Sequence, residues 1–162
     1  MIQQNVDGSA NNFFNRSWAE FKVGFGDASG NYWLGNELLS GLTVNGSYKL
    51  KFDLQQLDTD GWYFAEYYNF RVLNETDNYA LEVYGYAGDA GDAFGYSDGA
   101  MFSTYDRNSD QYTTELNMAA YSGAGFWYNG IALCLVNADR GFWASLPGGQ
   151  YLQTSRMWLE CK

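Results

Sequence analysis

The chain has 162 residues and a formal net charge of −10, from 19 acidic and 9 basic side chains, and it contains no histidine. The absence of histidine excludes a histidine general base, a histidine-containing catalytic triad and histidine-ligated zinc or haem. The acidic balance argues against binding to nucleic acid, which needs clustered lysine and arginine, and favours cations or neutral ligands such as sugars. No apolar run approaches the ~20 residues of a membrane helix, so we expect no insertion into a membrane.

Two short helices are predicted in the first part of the chain. Residues 18–25 carry aromatic side chains at helical spacing, follow Ser17 as an N-cap, and meet glycine at positions 24 and 26, where the helix should stop. Residues 36–42 carry three leucines and predict a second short helix.

The hydrophobic period changes to two from residue 48 onwards. Apolar residues alternate with lysine and aspartate over residues 48–54, which predicts a half-buried strand. Turn-forming residues then precede two further predicted strands, at 62–72 and 79–86. Sequential strands joined by short turns predict an antiparallel meander.

Residues 88–130 are rich in glycine, aspartate, asparagine, serine and tyrosine and contain few aliphatic side chains. Such a segment supplies little core, so we predict long ordered loops that are functional or held by another agent such as a metal. No repeat or linker interrupts the chain, and we predict a single domain over residues 1–162.

The sharpest local pattern places oxygen-bearing side chains at alternate positions, on Asp106, Asn108 and Asp110. Calcium prefers six to eight oxygen ligands, and a looped backbone can present them at this spacing. The segment is not an EF-hand, because Gln111 and Asn117 stand where that loop needs glycine and glutamate. A solvated acidic turn is the alternative.

Two other clusters have a functional and a structural interpretation. Asp89 and Asp92 form a carboxylate pair of the kind a glycosidase uses, although acids this close in a glycine-rich loop usually form turns. Trp127 and Tyr128, with Trp143 downstream, lie beside glycine and asparagine and suit a neutral ligand, or else they belong to the core.

Covalent chemistry leaves two questions open. Cys134 and Cys161 either pair in a disulfide or remain two buried free thiols. Three Asn-x-Ser/Thr sequons, at Asn15, Asn45 and Asn74, permit a secreted protein without establishing one.

Several motifs in the same order resemble the fibrinogen C-terminal, or fibrinogen-related, domain. The matching segments are Val6-Asp7-Gly8-Ser9, residues 13–26, residues 32–37, residues 88–94, residues 101–106, Trp127-Tyr128 and Leu135-Val136-Asn137. The resemblance implies an α+β fold with a twisted antiparallel sheet, short helices and long ordered loops around a calcium site. It also implies a secreted recognition module that is not an enzyme and that binds a glycan or a protein, with a homo-oligomer as one assembly.

The resemblance further implies a set of site residues. Calcium would be held by Asn108, Asp110 and the backbone carbonyls of Tyr112 and Thr114, with Asp106 as the leading acid. An acetylated ligand would be recognised beside that loop by Tyr128, Ala132 and Trp143, with Trp127 close by.

The chain departs from the family around this pocket. Leu116 and Ile131 stand where the family has a disulfide, and the family's Cys-His pair falls near Ile131-Ala132. The segment between Asn137 and Gly141 is shorter than in the family. These departures favour the alternative of a protein-interaction or matrix and adhesion module with a degenerate pocket.

Overall fold

The computed structural model describes residues 1–6, 13–110 and 115–162. The strands are β1 (Gln3–Asn5), β2 (Phe25–Gly26), β3 (Tyr32–Trp33), β4 (Tyr48–Gln56), β5 (Trp62–Val72), β6 (Leu81–Gly88), β7 (Phe102–Ser103), β8 (Phe126–Trp127), β9 (Cys134–Leu135), β10 (Phe142–Trp143) and β11 (Leu152–Cys161). The helices are α1 (Trp18–Val23), α2 (Asn36–Thr43) and α3 (Met118–Ser122), with 3-10 turns at Glu75–Asp77 and Phe94–Ser97.

Seven strands form one antiparallel sheet in the order β2-β3-β1-β11-β4-β5-β6. The consecutive strands β4, β5 and β6 pair as the predicted meander. Two short ladders, β7 with β8 and β9 with β10, lie in the long loops. The α+β fold class is confirmed, and the single domain over residues 1–162 remains a prediction.

The predicted helices and strands are present with small shifts in their bounds. α1 ends at Val23, because Gly24 adopts a φ of 90° and a Cβ there would lie 2.5 Å from the carbonyl oxygen of Leu34. Phe25 therefore lies in β2, outside the predicted helix. The third predicted strand begins two residues late, at Leu81.

The core lies between the inner face of the sheet and the long loops. Leu50, Phe52 and Leu54 alternate along β4 and are fully buried. The ring of Phe52 packs against Phe94 and Trp143, with ring centroids 5.1 and 4.9 Å apart. The described residues of the segment 88–130 thus contribute aromatic rings to the core, which holds these loops in position.

Candidate functional site

Helix α1 is joined to the predicted metal loop by a carboxylate. Ser17 and Glu20 form a capping box at the start of α1, which satisfies two of its free N–H groups. The Oδ1 atom of Asp106 accepts a third, the backbone N–H of Trp18, at 2.9 Å, and also the hydroxyl of Thr104 at 2.7 Å. Asp106 therefore fixes helix α1 to the loop that follows β7.

Asp110 is the buried carboxylate of this loop, with 6% of its surface exposed. Both of its carboxylate oxygens accept the backbone N–H of Gly130 at 3.1 Å. The Oδ1 atom of the exposed Asn108 accepts the N–H of Asp110 at 3.2 Å. These contacts connect the predicted metal loop with the segment after β8.

The predicted calcium ligands are brought together only in part. The side chain of Asn108 contacts Asp110 through the backbone N–H of Asp110. Asp106 instead accepts the backbone N–H of Trp18 in α1. Tyr112 and Thr114 lie outside the described residues. The described part of the chain contains no group of three or more His, Cys, Asp or Glu side chains that could hold a metal. Asn108 and Asp110 both offer side-chain oxygen atoms, the ligands that calcium prefers. Asp110 supplies the carboxylate of this pair, and that carboxylate already accepts the N–H of Gly130.

The predicted aromatic ligand residues lie in the core. Trp127 and Trp143 are fully buried, and their indole N–H groups donate to the carbonyls of Tyr79 and Gly91, each at 2.8 Å. The hydroxyl of the buried Tyr128 donates to the carbonyl of Ala124 at 2.6 Å. None of the three rings reaches solvent in this structure, so the core interpretation left open by the sequence applies to them.

Tyr96 and the residues that follow β8 form a partly exposed rim, which was not predicted as a ligand surface. Asn129 donates from its side-chain amide to the carbonyl of Tyr96 at 3.0 Å, and its backbone N–H bonds the carbonyl of Ile131 at 3.1 Å. Ile131 and Tyr96 are 52% and 42% exposed, and Ala132 is half-buried. The Asn129-Gly130 pair, a turn signal between the apolar residues 126–128 and Ile131, is the sequence signal that could have indicated this rim.

The rim consists of Tyr96, Asn129, Gly130 and Ile131. Its connection to Asp110 runs through the N–H of Gly130, which adopts a φ of 77°. A change in the position of the Asp110 carboxylate would therefore move the backbone of Gly130 and change the geometry of the rim.

The carboxylate pair of residues 89 and 92 has structural partners. Asp89 accepts the backbone N–H of Phe64 at 2.7 Å. Asp92 accepts the hydroxyl of Tyr67 at 2.8 Å and the N–H of Gly95 at 3.0 Å. Burial raises the pKa of the Tyr67 phenol, and the adjacent Asp92 raises it further, so this hydroxyl stays protonated and serves as a donor. The bond from Gly95 to Asp92 is the local turn contact that competed with catalysis, whereas the partners Phe64 and Tyr67 lie on β5, 25 positions before the acids that they bind.

Neither cysteine is in a disulfide in this structure. Cys134 is buried in β9 and Cys161 is exposed at the end of β11. Burial raises the pKa of the Cys134 thiol well above its ordinary value, which keeps it protonated and unreactive.

Among the described residues, no helix has the length and apolar character needed to span a membrane.

Comparison with known proteins supports the same fold. A family model described as the C-terminal globular domain of fibrinogen beta and gamma chains matches residues 1–156. Angiopoietin-related protein 2 of Homo sapiens is 39% identical over 165 residues, and the match covers 93% of this chain and 32% of that protein. The fibrinogen alpha chain of Homo sapiens is 41% identical over 166 residues, covering 93% of this chain and 18% of that one. The chain thus spans about a third of the length of the angiopoietin-related relatives.

Solved structures of similar chains agree closely with this one. The fibrinogen-like globe domain of human ANGPTL2 superposes with a TM-score of 0.89 at 36% identity, covering 99% of this chain and 78% of that chain. A lamprey fibrin D-dimer, complexed with the peptide Gly-His-Arg-Pro-amide, gives a TM-score of 0.86 at 29% identity, with coverages of 98% and 59%.

Proposed function

Because the chain belongs to the family of the C-terminal globular domain of fibrinogen beta and gamma chains, we propose that it is a non-catalytic, extracellular binding module. Asp89 accepts a backbone N–H and Asp92 accepts the Tyr67 hydroxyl, so both acids have structural roles in this fold.

The observation that carries the proposal is the bond from the Gly130 N–H to the Asp110 carboxylate. It couples a loop suited to a cation with a rim that presents apolar side chains to solvent. The rim is the ligand surface, and the loop holds it in position.

A protein or peptide is the ligand that the rim suits best. Trp127, Tyr128 and Trp143 are buried, which leaves them without a face for an acetyl group. Ile131 and Leu116, at the positions where the resemblance places a disulfide, are 52% and 50% exposed. Exposed aliphatic side chains of this kind suit the apolar part of a protein interface. The peptide complexed with lamprey fibrin is consistent with this class of ligand.

A carbohydrate is the second candidate, because the Asn129 side-chain amide is bonded to the backbone carbonyl of Tyr96, a residue that is itself 42% exposed. An aromatic face and a nearby amide are the elements that bind a sugar ring and its hydroxyls. This version is the lectin-like module that the sequence resemblance implies.

Calcium is part of the proposal. Asn108 and Asp110, together with the backbone carbonyls of Tyr112 and Thr114, would hold the ion, which would supply a fixed positive charge beside the rim. A calcium site with few carboxylates binds weakly. We therefore expect a measurable effect at millimolar calcium.

A thermal melt with calcium and with chelator tests this part. An ion that binds the folded state alone stabilises it by about 2.7 kcal/mol at a hundredfold excess over Kd. We expect calcium to raise the Tm of the wild-type chain and to leave the Tm of the Asp110→Asn variant unchanged. Asp89→Asn is the matched control and should retain the calcium response. An equal Tm in calcium and chelator would overturn the calcium site.

Ligand binding is tested by titrating the isotope-labelled chain with two probes, Gly-His-Arg-Pro-amide and N-acetylglucosamine. We expect the peptide to shift the backbone resonances of Gly130 and Ile131, and Ile131→Asp to abolish these shifts. Shifts from N-acetylglucosamine alone would favour the lectin-like version. No shift at the rim from either probe would contradict the rim as the site for these two ligand classes.

A further inference from the structure

The structure distinguishes between the three glycosylation sequons. They are Asn15-Arg16-Ser17, Asn45-Gly46-Ser47 and Asn74-Glu75-Thr76. N-glycosylation requires an asparagine amide with room for a bulky glycan, in a segment at the surface. Transfer to a nascent chain also depends on local contacts of the sequon itself, because the rest of the fold has not yet formed.

Asn45 lies in the open turn between α2 and β4. Asn45 and Ser47 are exposed, and a Cβ at the intervening Gly46 would meet no atom within 4 Å. The Ser47 hydroxyl donates weakly, at 3.4 Å, to the carbonyl of Asn45 itself. Neither side chain of this sequon is thus held by another element of the described structure.

The surface beside Asn45 is apolar. Leu38 and Leu42, one turn apart on α2, are exposed, and so is Val44 just before the sequon. Exposed aliphatic side chains that lie close together mark an interaction site or an aggregation liability. A glycan on Asn45 would cover this patch and shield it from solvent. This shielding is a second argument for a glycan in the open turn.

Asn74 lies at the connection between β5 and β6 and is exposed together with Thr76. Its Oδ1 atom accepts the N–H of Thr76 at 2.9 Å and also the Thr76 hydroxyl. The two side chains of the sequon therefore meet through a contact that spans two residues and can form in a nascent chain. The oxygen carries these bonds, so the amide nitrogen is the atom left for a glycan.

Asn15 differs, because its sequon hydroxyl belongs to the cap of α1. Ser17 accepts the N–H of Glu20 at 3.3 Å and donates to the Glu20 carboxylate at 3.1 Å. This capping box is also local, so it competes for the Ser17 hydroxyl before the chain has folded. The backbone N–H of Asn15 is bonded to the carbonyl of Gly123 at 2.8 Å, which holds the segment against α3.

We propose that Asn45 and Asn74 carry N-linked glycans and that Asn15 does not. The two sites lie at the same end of the sheet, where β4 begins opposite the end of β11 and where β5 ends opposite the start of β6. In the reaction, the amide nitrogen forms a bond to the anomeric carbon of a lipid-linked oligosaccharide pyrophosphate. The bond from that carbon to the pyrophosphate oxygen breaks, the lipid pyrophosphate leaves, and the amide loses one proton. The proposal rests on the extracellular location proposed above.

The experiment is secretion of the full chain from animal cells behind an added signal peptide, followed by peptide mapping with and without enzymatic removal of N-glycans. We expect the wild type to carry glycans at two sites. The variants Asn45→Gln and Asn74→Gln should each carry a glycan at the one remaining site, and Asn15→Gln should carry glycans at two sites, as the wild type does. Thr76→Ser keeps the sequon hydroxyl and should retain the glycan at Asn74, whereas Thr76→Ala should lose it. Ser47→Ala should likewise lose the glycan at Asn45.

An unmodified Asn45 or Asn74 in secreted wild-type protein, or a glycan at Asn15, would overturn the assignment. The added signal peptide makes this result independent of the natural route of the chain. The rim titrations use protein without glycans, so failure of ligand binding and failure of glycosylation are separate outcomes.

Discussion

At the scale of single residues, several acidic side chains of this molecule accept backbone N–H groups from distant segments. Asp106 holds Trp18, Asp110 holds Gly130 and Asp89 holds Phe64, each across a long separation in sequence. A charge-assisted bond of this kind is stronger than a neutral one. These three carboxylates therefore connect segments that are far apart in the sequence.

Asp106 provides a test at this scale. Asp106→Ala leaves the Trp18 N–H and the Thr104 hydroxyl without their acceptor, and we expect it to lower the free energy of unfolding by about 1–2 kcal/mol in urea titrations without calcium. Asn108→Ala, an exposed neighbour, should change stability without calcium by much less. Equal losses in the two variants would contradict the anchoring role of Asp106.

At the scale of elements, helix α1 is attached to the β5–β6 connection by a charged cluster. The carboxylate of Glu75 accepts the indole N–H of Trp18 at 2.8 Å and pairs with Lys22 at 2.5 Å. The guanidinium of Arg107 stacks on the Trp18 ring, 3.9 Å from its centroid. The cluster joins the helix, the turn and the predicted metal loop through one tryptophan.

The cluster predicts how stability depends on pH. The bond from Lys22, followed by that from Trp18, lowers the pKa of Glu75 below its ordinary value of 4.5. A lowered pKa in the folded state means that the contribution of Glu75 is present above pH 4.5 and is lost as the pH falls through the folded-state value. We expect the Tm difference between wild type and Glu75→Gln to be largest at neutral pH and to shrink under acid.

The matched control is Glu66→Gln on the outer face of β5, measured over the same pH range. A Tm difference for Glu75→Gln that stays constant between pH 7 and pH 3 would argue against a charge effect and for a purely steric role.

The sequence predicted those elements whose signals are local. The capping box at Ser17 and the alternation along β4 both depend on neighbours within a few positions. β11 was missed, because a register shift between Leu152 and Thr154 interrupts its alternation. The contact of Asp106 with Trp18 spans 88 positions, and no local pattern announces it. Trp127 and Trp143 could not be assigned, since an aromatic ring beside glycine suits a core and a pocket equally well.

At the scale of the whole molecule, the two thiols report on different states. Cys161 is exposed, whereas Cys134 is enclosed by the core. We expect a thiol reagent to modify Cys161 in the native chain and Cys134 only after unfolding, at a rate that follows global unfolding. The Cys161→Ser variant should lose the modification in the native state and retain the slow modification of Cys134 that follows unfolding. Failure of both thiols to react in denaturant without reductant would indicate a disulfide.

The pairing of β1 with β11 has a consequence for synthesis. Residues 3–5 lie beside residues 155–157, and β11 separates β1 from the β4–β5–β6 meander. While the chain is being made, the meander of β4, β5 and β6 emerges before β11, the strand that joins it to β1, β2 and β3. The sheet therefore closes only after β11 has emerged, and a ribosome-bound intermediate that lacks β11 would expose the edge of β4 until then. A chaperone that covers unpaired strand edges would be needed most during that interval.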